Sequence, residues 1–226
     1  DDCCFLSGER TAFIIIIYST ILIFLLYNNY KKEKYLIISL LILSLSTIYF
    51  SNFTSKERIF NLTKEQMNID NFLEKKDQKI IIFNQQYQEH YMSALKIFHD
   101  HPFIGIGPKN FRIICSEEKY NFSELTCSTH PHHIYLQILA ETGIINFFII
   151  LYLYLQTLYL LVKAFFYKFL KNKIILDNLQ LSLLIHISVC LLPIIPSGNF
   201  FNNWLSIVFY FPLGIFIWSI HNKKRN

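Results

Sequence analysis

Apolar positions in this chain come in long unbroken runs rather than in the short alternations of a soluble domain. Five stretches reach, or nearly reach, the roughly 20 apolar residues that a membrane helix needs. They are Thr11 to Asn28, Tyr35 to Phe50, Ile134 to Val162, Leu179 to Pro196, and Phe200 to Ile220. The second is short and borrows from the loop after it; the third is long, with an interfacial outer end at His133 to Gly143. One long polar segment, Ser51 to His133, separates them. The pattern predicts an all-α polytopic membrane protein of about five transmembrane helices with one long, mostly helical extracytoplasmic loop. Three parts follow: an outer-face Arg10 motif with two helices in 1–50, the loop in 51–133, and three helices with a basic tail in 134–226.

Orientation comes from the basic residues of the short connections. Lys31, Lys32 and Lys34 follow the first stretch, Lys163, Lys168, Lys171 and Lys173 follow the third, and Lys223, Lys224 and Arg225 follow the fifth. Simple alternation puts all three places on one side, which the positive-inside rule makes cytoplasmic. The opposite connection, Ser197 to Asn203, has no Lys or Arg. The long segment therefore faces outward. Its ten Lys or Arg balance ten Asp or Glu, and its many aromatics predict a folded cap rather than a disordered linker.

Composition agrees with this picture. The 226 residues are 53% hydrophobic with only 16% charged, and mean hydropathy is +0.32, which is outside the range of a soluble domain of this size. The wealth of Ile, Lys, Asn and Phe reads as genome bias, so the sequons at Asn52, Asn61 and Asn121 carry little weight. The opening Asp1-Asp2-Cys3-Cys4, without Met, basic n-region or cleavage site, predicts a piece of a longer product rather than a leader. Five cysteines without CxxC spacing argue against a structural zinc site.

Within the outer segment, Asn68 to Gln88 reads as a surface helix. Tyr91, Ala94, Leu95 and Phe98 then recur at helical spacing until Pro102 ends the pattern, which predicts a helix to about His99. Gly105-Ile106-Gly107-Pro108 reads as a tight turn that allows close backbone approach. A nucleotide-binding fingerprint would need a preceding strand and a third glycine, and nothing calls for a nucleic-acid partner. Cys115 and Cys127 bracket a polar stretch in an oxidising compartment, and a disulfide is preferred over two free thiols.

The densest chemistry is Ser128-Thr129-His130-Pro131-His132-His133, set directly before the apolar run from Ile134. Histidine is the side chain best poised near neutral pH to take a proton. Metal ligation is the competing reading, with His90, His99 or His101 as further ligands, and helix capping is the plainer one.

At this point the chain resembles the O-antigen ligase and polymerase superfamily. The resemblance rests on Ala94-Leu95, His101-Pro102-Phe103-Ile104-Gly105-Ile106-Gly107-Pro108 and Phe111. It continues in His130-Pro131-His132-His133-Ile134-Tyr135-Leu136-Gln137 and Glu141-Thr142-Gly143, with Ser7-Gly8-Glu9-Arg10-Thr11-Ala12 opening the first stretch. Family members usually have Asn where His133 stands. They often carry an Arg ahead of the Ala-Leu helix and a Trp within it, where this chain has Gln86, Tyr87 and Tyr91.

The resemblance implies a membrane glycosyltransferase in the bacterial inner membrane, with its active site facing the periplasm. The donor would be a polyprenyl-diphosphate-linked glycan and the acceptor a lipid A-core hydroxyl. His132 would act as base, His130 or His133 assisting, while Arg10 binds phosphate oxygens bidentately and Lys109 or Arg112 offsets charge on the departing diphosphate. Gly105, Gly107 and Glu141 would shape the substrate site. The lipid diphosphate is already a good leaving group, so neither metal nor cofactor is expected. A ligase is the reading taken, on the His-x-His motif and short outer loop. A polymerase is the alternative within the enzyme class, and a polytopic transporter the alternative outside it.

Overall fold

The computed structural model describes residues 10–27, scattered helical positions between 32 and 46, and residues 85–223. The chain divides into two compact units, 1–84 and 85–226. The sequons at Asn52 and Asn61, Ser7-Gly8-Glu9, and most of the Asn68 to Gln88 stretch lie outside the described residues.

In the first unit, α1 runs from Arg10 to Leu26. It is apolar all round, and Ile14, Ile21 and Phe24 are exposed, as suits a helix solvated by lipid. The edge of the Phe24 ring meets Tyr35, with centroids 6.4 Å apart.

The second unit holds α2 (Gln85–Asp100), α3 (Phe111–Ile114), α4 (Ile134–Lys171), α5 (Asn178–Cys190) and α6 (Asn203–Lys223). No strand occurs among the described residues. Here α2 and α3 pack on α4, α4 on α5, and α5 on α6. Ile134–Lys171 and Asn203–Asn222 are long and apolar enough to cross a bilayer, whereas Ile14–Leu26 and Asn178–Cys190 are apolar but shorter. The fourth predicted stretch thus ends early as a helix, at Cys190. Pro193 and Pro196 lie just beyond, and a proline supplies no N–H and clashes with a continuing turn.

The third stretch runs on past Val162 to Lys171, so Lys163, Lys168 and Lys171, read as a connection, lie in the last turns of α4, and Lys173 follows its C-cap. Lys163 lies 5.5 Å from the Tyr159 ring centre and Lys171 4.6 Å from that of Tyr167. Their ammonium groups stand over aromatic faces, and Lys168 and Lys171 lie in the last turn, the helix end that favours cations.

The buried face of α2 also differs from the predicted stripe. Tyr91 and Ala94 are buried as expected, but Leu95 is 48% exposed and Ile97, His90 and Ser93 fill the face instead. Ala94 and Ile97 join Phe111, Cys115, Tyr120 and Ala140 in one core cluster. Cys115 and Cys127 form a disulfide with Cα atoms 5.4 Å apart. The Glu89 carboxylate accepts from the Ser123 hydroxyl and, at 3.0 Å, from that of Thr126, tying the bridged loop to α2.

The feature that positions the site is a break in α4. Gly143 has φ +77 and ψ −175, outside helical geometry. Such a break releases backbone groups, and buried ones must find other partners. The turn after α2 supplies them. Ile106 N–H donates to the Ala140 carbonyl at 3.0 Å, Gly107 N–H to the Glu141 carbonyl at 2.8 Å, and Ile144 N–H to the Pro102 carbonyl at 2.8 Å. Approach is so close that a Cβ on Gly105 would lie 2.6 Å from the Glu141 carbonyl oxygen, and one on Gly143 2.7 Å from the Ile104 nitrogen. Both glycines also have positive φ, which only glycine adopts freely. The Gly-Ile-Gly turn is a splint over the α4 kink.

Candidate active site

The histidine loop enters α4 through His133, whose extended backbone makes it the N-cap. Its Nδ1 accepts the Leu136 N–H at 3.4 Å, and its Nε2–H donates to the Pro193 carbonyl at 3.0 Å. A neutral ring with one donor and one acceptor nitrogen fits both bonds. Burial holds the ring below the usual imidazole range, and the Pro193 carbonyl opposes that. His133 is thus committed to capping.

His130 is committed as well. Its Nδ1 accepts the Thr129 hydroxyl at 2.9 Å and its Nε2–H donates to the Ser197 carbonyl at 3.2 Å. Burial, then the neighbouring His132 ring, pulls its pKa down to about 4 against the pull of the Ser197 carbonyl.

His132 differs. It stands between Pro131 and His133 with φ +55, a left-handed conformation that costs a non-glycine residue about 1–2 kcal/mol. The Ser197 N–H, 2.9 Å from the His132 carbonyl, holds it there. Its half-buried ring lies 4.1 Å from the His130 centroid and 5.4 Å from those of His90 and Tyr87. No hydrogen bond to this ring occurs among the described residues. Burial lowers its pKa, so the ring is neutral at neutral pH and can accept a proton.

A buried amide fastens the loop before α6 to this arrangement. Gln137 donates from Nε2 to Glu141 Oε2 at 2.9 Å and to Asn199 Oδ1 at 2.8 Å, and its Oε1 accepts the Phe200 N–H at 2.9 Å. Glu141 is fully buried, and its Oε1 accepts the Phe111 N–H at the start of α3 at 3.1 Å. It therefore faces the scaffold. Pro193, Ser197 and Asn199 escaped the sequence reading as site residues, and Ser197 to Asn203 drew notice only for lacking Lys and Arg; His90 was noted only as an optional metal ligand, Gln137 only within the motif, and Tyr87 only as a departure from it.

The other predicted residues fall elsewhere. Gly105 and Gly107 belong to the splint. Lys109 has φ +64, and its carbonyl accepts the Nε–H of exposed Arg112 at 3.0 Å. No hydrogen bond or ion pair joins Lys109 or Arg112 to the histidines among the described residues. Arg10 opens α1 in the other compact unit. The metal reading of the histidines gains no support: both nitrogens of His130 and His133 are engaged, and no metal-holding group of three His, Cys, Asp or Glu side chains is found among the described residues.

Two helices long and apolar enough to cross a bilayer, with a half-buried imidazole just ahead of the first of them, place the described residues in the class of all-helical proteins with candidate membrane spans. Comparison with known families gives that class its identity. The family model described as O-antigen ligase matches residues 2–151, and the chain belongs to that family. No curated protein and no solved structure matches the chain.

Proposed function

We propose that the chain belongs to a glycosyltransferase that moves a glycan from a polyprenyl-diphosphate carrier to a lipid A-core hydroxyl at the periplasmic face of the inner membrane. His132 takes the proton of the acceptor hydroxyl. The freed oxygen attacks the anomeric carbon, a new C–O bond forms, and the old bond to phosphate breaks with its electron pair leaving on the diphosphate. Arg10 binds that diphosphate through paired N–H groups, with Lys109 or Arg112 offsetting its charge. His130, His133, Glu141 and the two glycines hold the frame.

The observation that carries this reading is the contrast within the loop. His130 and His133 each spend both ring nitrogens on fixed partners, while His132, half-buried and in left-handed backbone, spends neither among the described residues. Strained backbone over a free base is what a positioned proton acceptor needs.

Lipopolysaccharide from a strain lacking the full-length gene tests the reaction. A ligase predicts loss of the glycan-capped form while lipid-linked glycan keeps its chain length. Caps of a single repeat would instead indicate a polymerase, and an unchanged profile would overturn both.

A further inference from the structure

His90 is the least explained side chain in the second unit. It is 0% exposed, and neither ring nitrogen has a hydrogen-bond partner of normal geometry. A buried unpaired imidazole is less stable there than an apolar side chain of similar volume, so packing alone does not account for it.

Its surroundings suggest what does. The His90 and His132 rings have centroids 5.4 Å apart and planes within 24° of parallel. A ring nitrogen sits roughly 1.2 Å from its centroid, so an N–H···N bond of about 2.9 Å puts two imidazole centroids about 5 Å apart. The two rings stand near that separation but stacked, so reorientation of a ring to bring nitrogen towards nitrogen is what such a bond requires. Tyr87 limits the freedom of both, with its centroid 5.4 Å from His132 and 6.2 Å from His90. His90 also feels the Leu125 carbonyl and, more weakly, the Glu89 carboxylate, both of which favour an N–H pointing their way.

We infer that His90 is the positioning residue of the proposed base: a neutral imidazole whose lone pair receives the inner N–H of His132. The Leu125 carbonyl takes the proton-bearing side of His90, leaving its other nitrogen as acceptor. His132 is then held in the tautomer whose outer nitrogen carries a lone pair, open to the acceptor hydroxyl. When His132 takes that proton, its inner N–H becomes a charge-assisted donor to His90, and the bond strengthens as charge develops. A base oriented by a third group is the arrangement that acid–base catalysis rewards.

This rests on His132 being the base, and the test separates the two claims. Kinetics of the full-length protein in membranes would use an undecaprenyl-diphosphate-linked glycan as donor and lipid A-core as acceptor. His90→Leu and His90→Phe, which keep the volume and lose the acceptor nitrogen, are expected to lower kcat about 100-fold with KM unchanged. His90→Gln, which offers a carbonyl oxygen, is expected to recover kcat to within about tenfold of the wild type. Detergent-extracted variants are compared only where they elute as the wild type does, so that unfolding does not enter. Wild-type kcat in the Leu or Phe variant, or equal loss in Leu, Phe and Gln variants, overturns the role of His90. If His132→Ala transfers normally, the base assignment itself falls, whatever His90 does.

Discussion

Two regions of the second unit treat their polar groups in opposite ways. At the α4 kink, the groups that Gly143 releases meet partners from the Gly105–Gly107 turn, the carboxylate of Glu141 is tied off by Phe111 and Gln137, and glycines admit backbone against backbone. At the histidine loop a few residues earlier, two rings are equally tied off but His132 is not, and the ring behind it is unpaired too. The splint is made for fit and the loop holds something in reserve. Satisfied groups mark scaffold and uncommitted ones mark chemistry, and a mutation should read differently in each.

Breaking the splint gives the largest effect. Gly143→Ala forces a side chain into left-handed backbone and against the Phe103 carbonyl, where no flexible neighbour can yield. A loss of about 3 kcal/mol or more is expected, seen as a collapse in the yield of detergent-extracted protein. Removing the disulfide with Cys115→Ser comes next. The bridge closes a separation of 12 residues, worth about 3 kcal/mol by loop closure, so the thermal midpoint should fall while transfer at low temperature persists.

Acidification is expected to do less and to act chiefly through four histidines, the three of the loop and His90 on α2. His130 is held down to about 4 by burial, and His90, His132 and His133 are lowered as well. A histidine with a depressed folded-state pKa binds more protons when unfolded, so stability is full above about pH 6.5 and declines towards about pH 4. A thermal midpoint that rises on acidification through this window would contradict the burial of neutral rings. Smallest is Glu141→Gln, at the border of the two regions. The new amide has one oxygen for two donors, Gln137 Nε2–H and Phe111 N–H, so one of them faces an NH₂ at a cost of about 1 kcal/mol in thermal stability, and no change in the pH dependence of transfer is expected.

Part of this contrast was legible in the sequence. Gly-Ile-Gly and Glu-Thr-Gly each stood out as a turn or a motif, because glycines beside a proline mark places where the chain needs unusual backbone. Their pairing did not, since it consists of main-chain bonds between residues more than thirty apart and leaves no side-chain pattern. The helix of Gln85–Asp100 was visible from its spacing, but its buried face was misassigned because His90 and Ser93, polar by type, lie inside where Leu95 was expected. Lys163 to Lys171 looked like a connection because charge reads as solvent, although long aliphatic stems let these lysines ride a helix. The three loop histidines were conspicuous, yet what separates them is carbonyls of Pro193 and Ser197, some sixty residues away, which spacing cannot reveal. Among the described residues, α4 and α6 are the helices long and apolar enough to span.

The central claim is that His132, and not its committed neighbours, accepts the proton during glycan transfer. Its most direct test is the initial rate of transfer from a polyprenyl-diphosphate-linked glycan by His132→Ala and His133→Ala in membranes, with insertion and the Cys115–Cys127 bridge monitored. The expected loss is about 1000-fold for His132→Ala in intact protein, against a loss within about tenfold for His133→Ala, which forfeits a helix cap. Near-normal transfer by His132→Ala would contradict it.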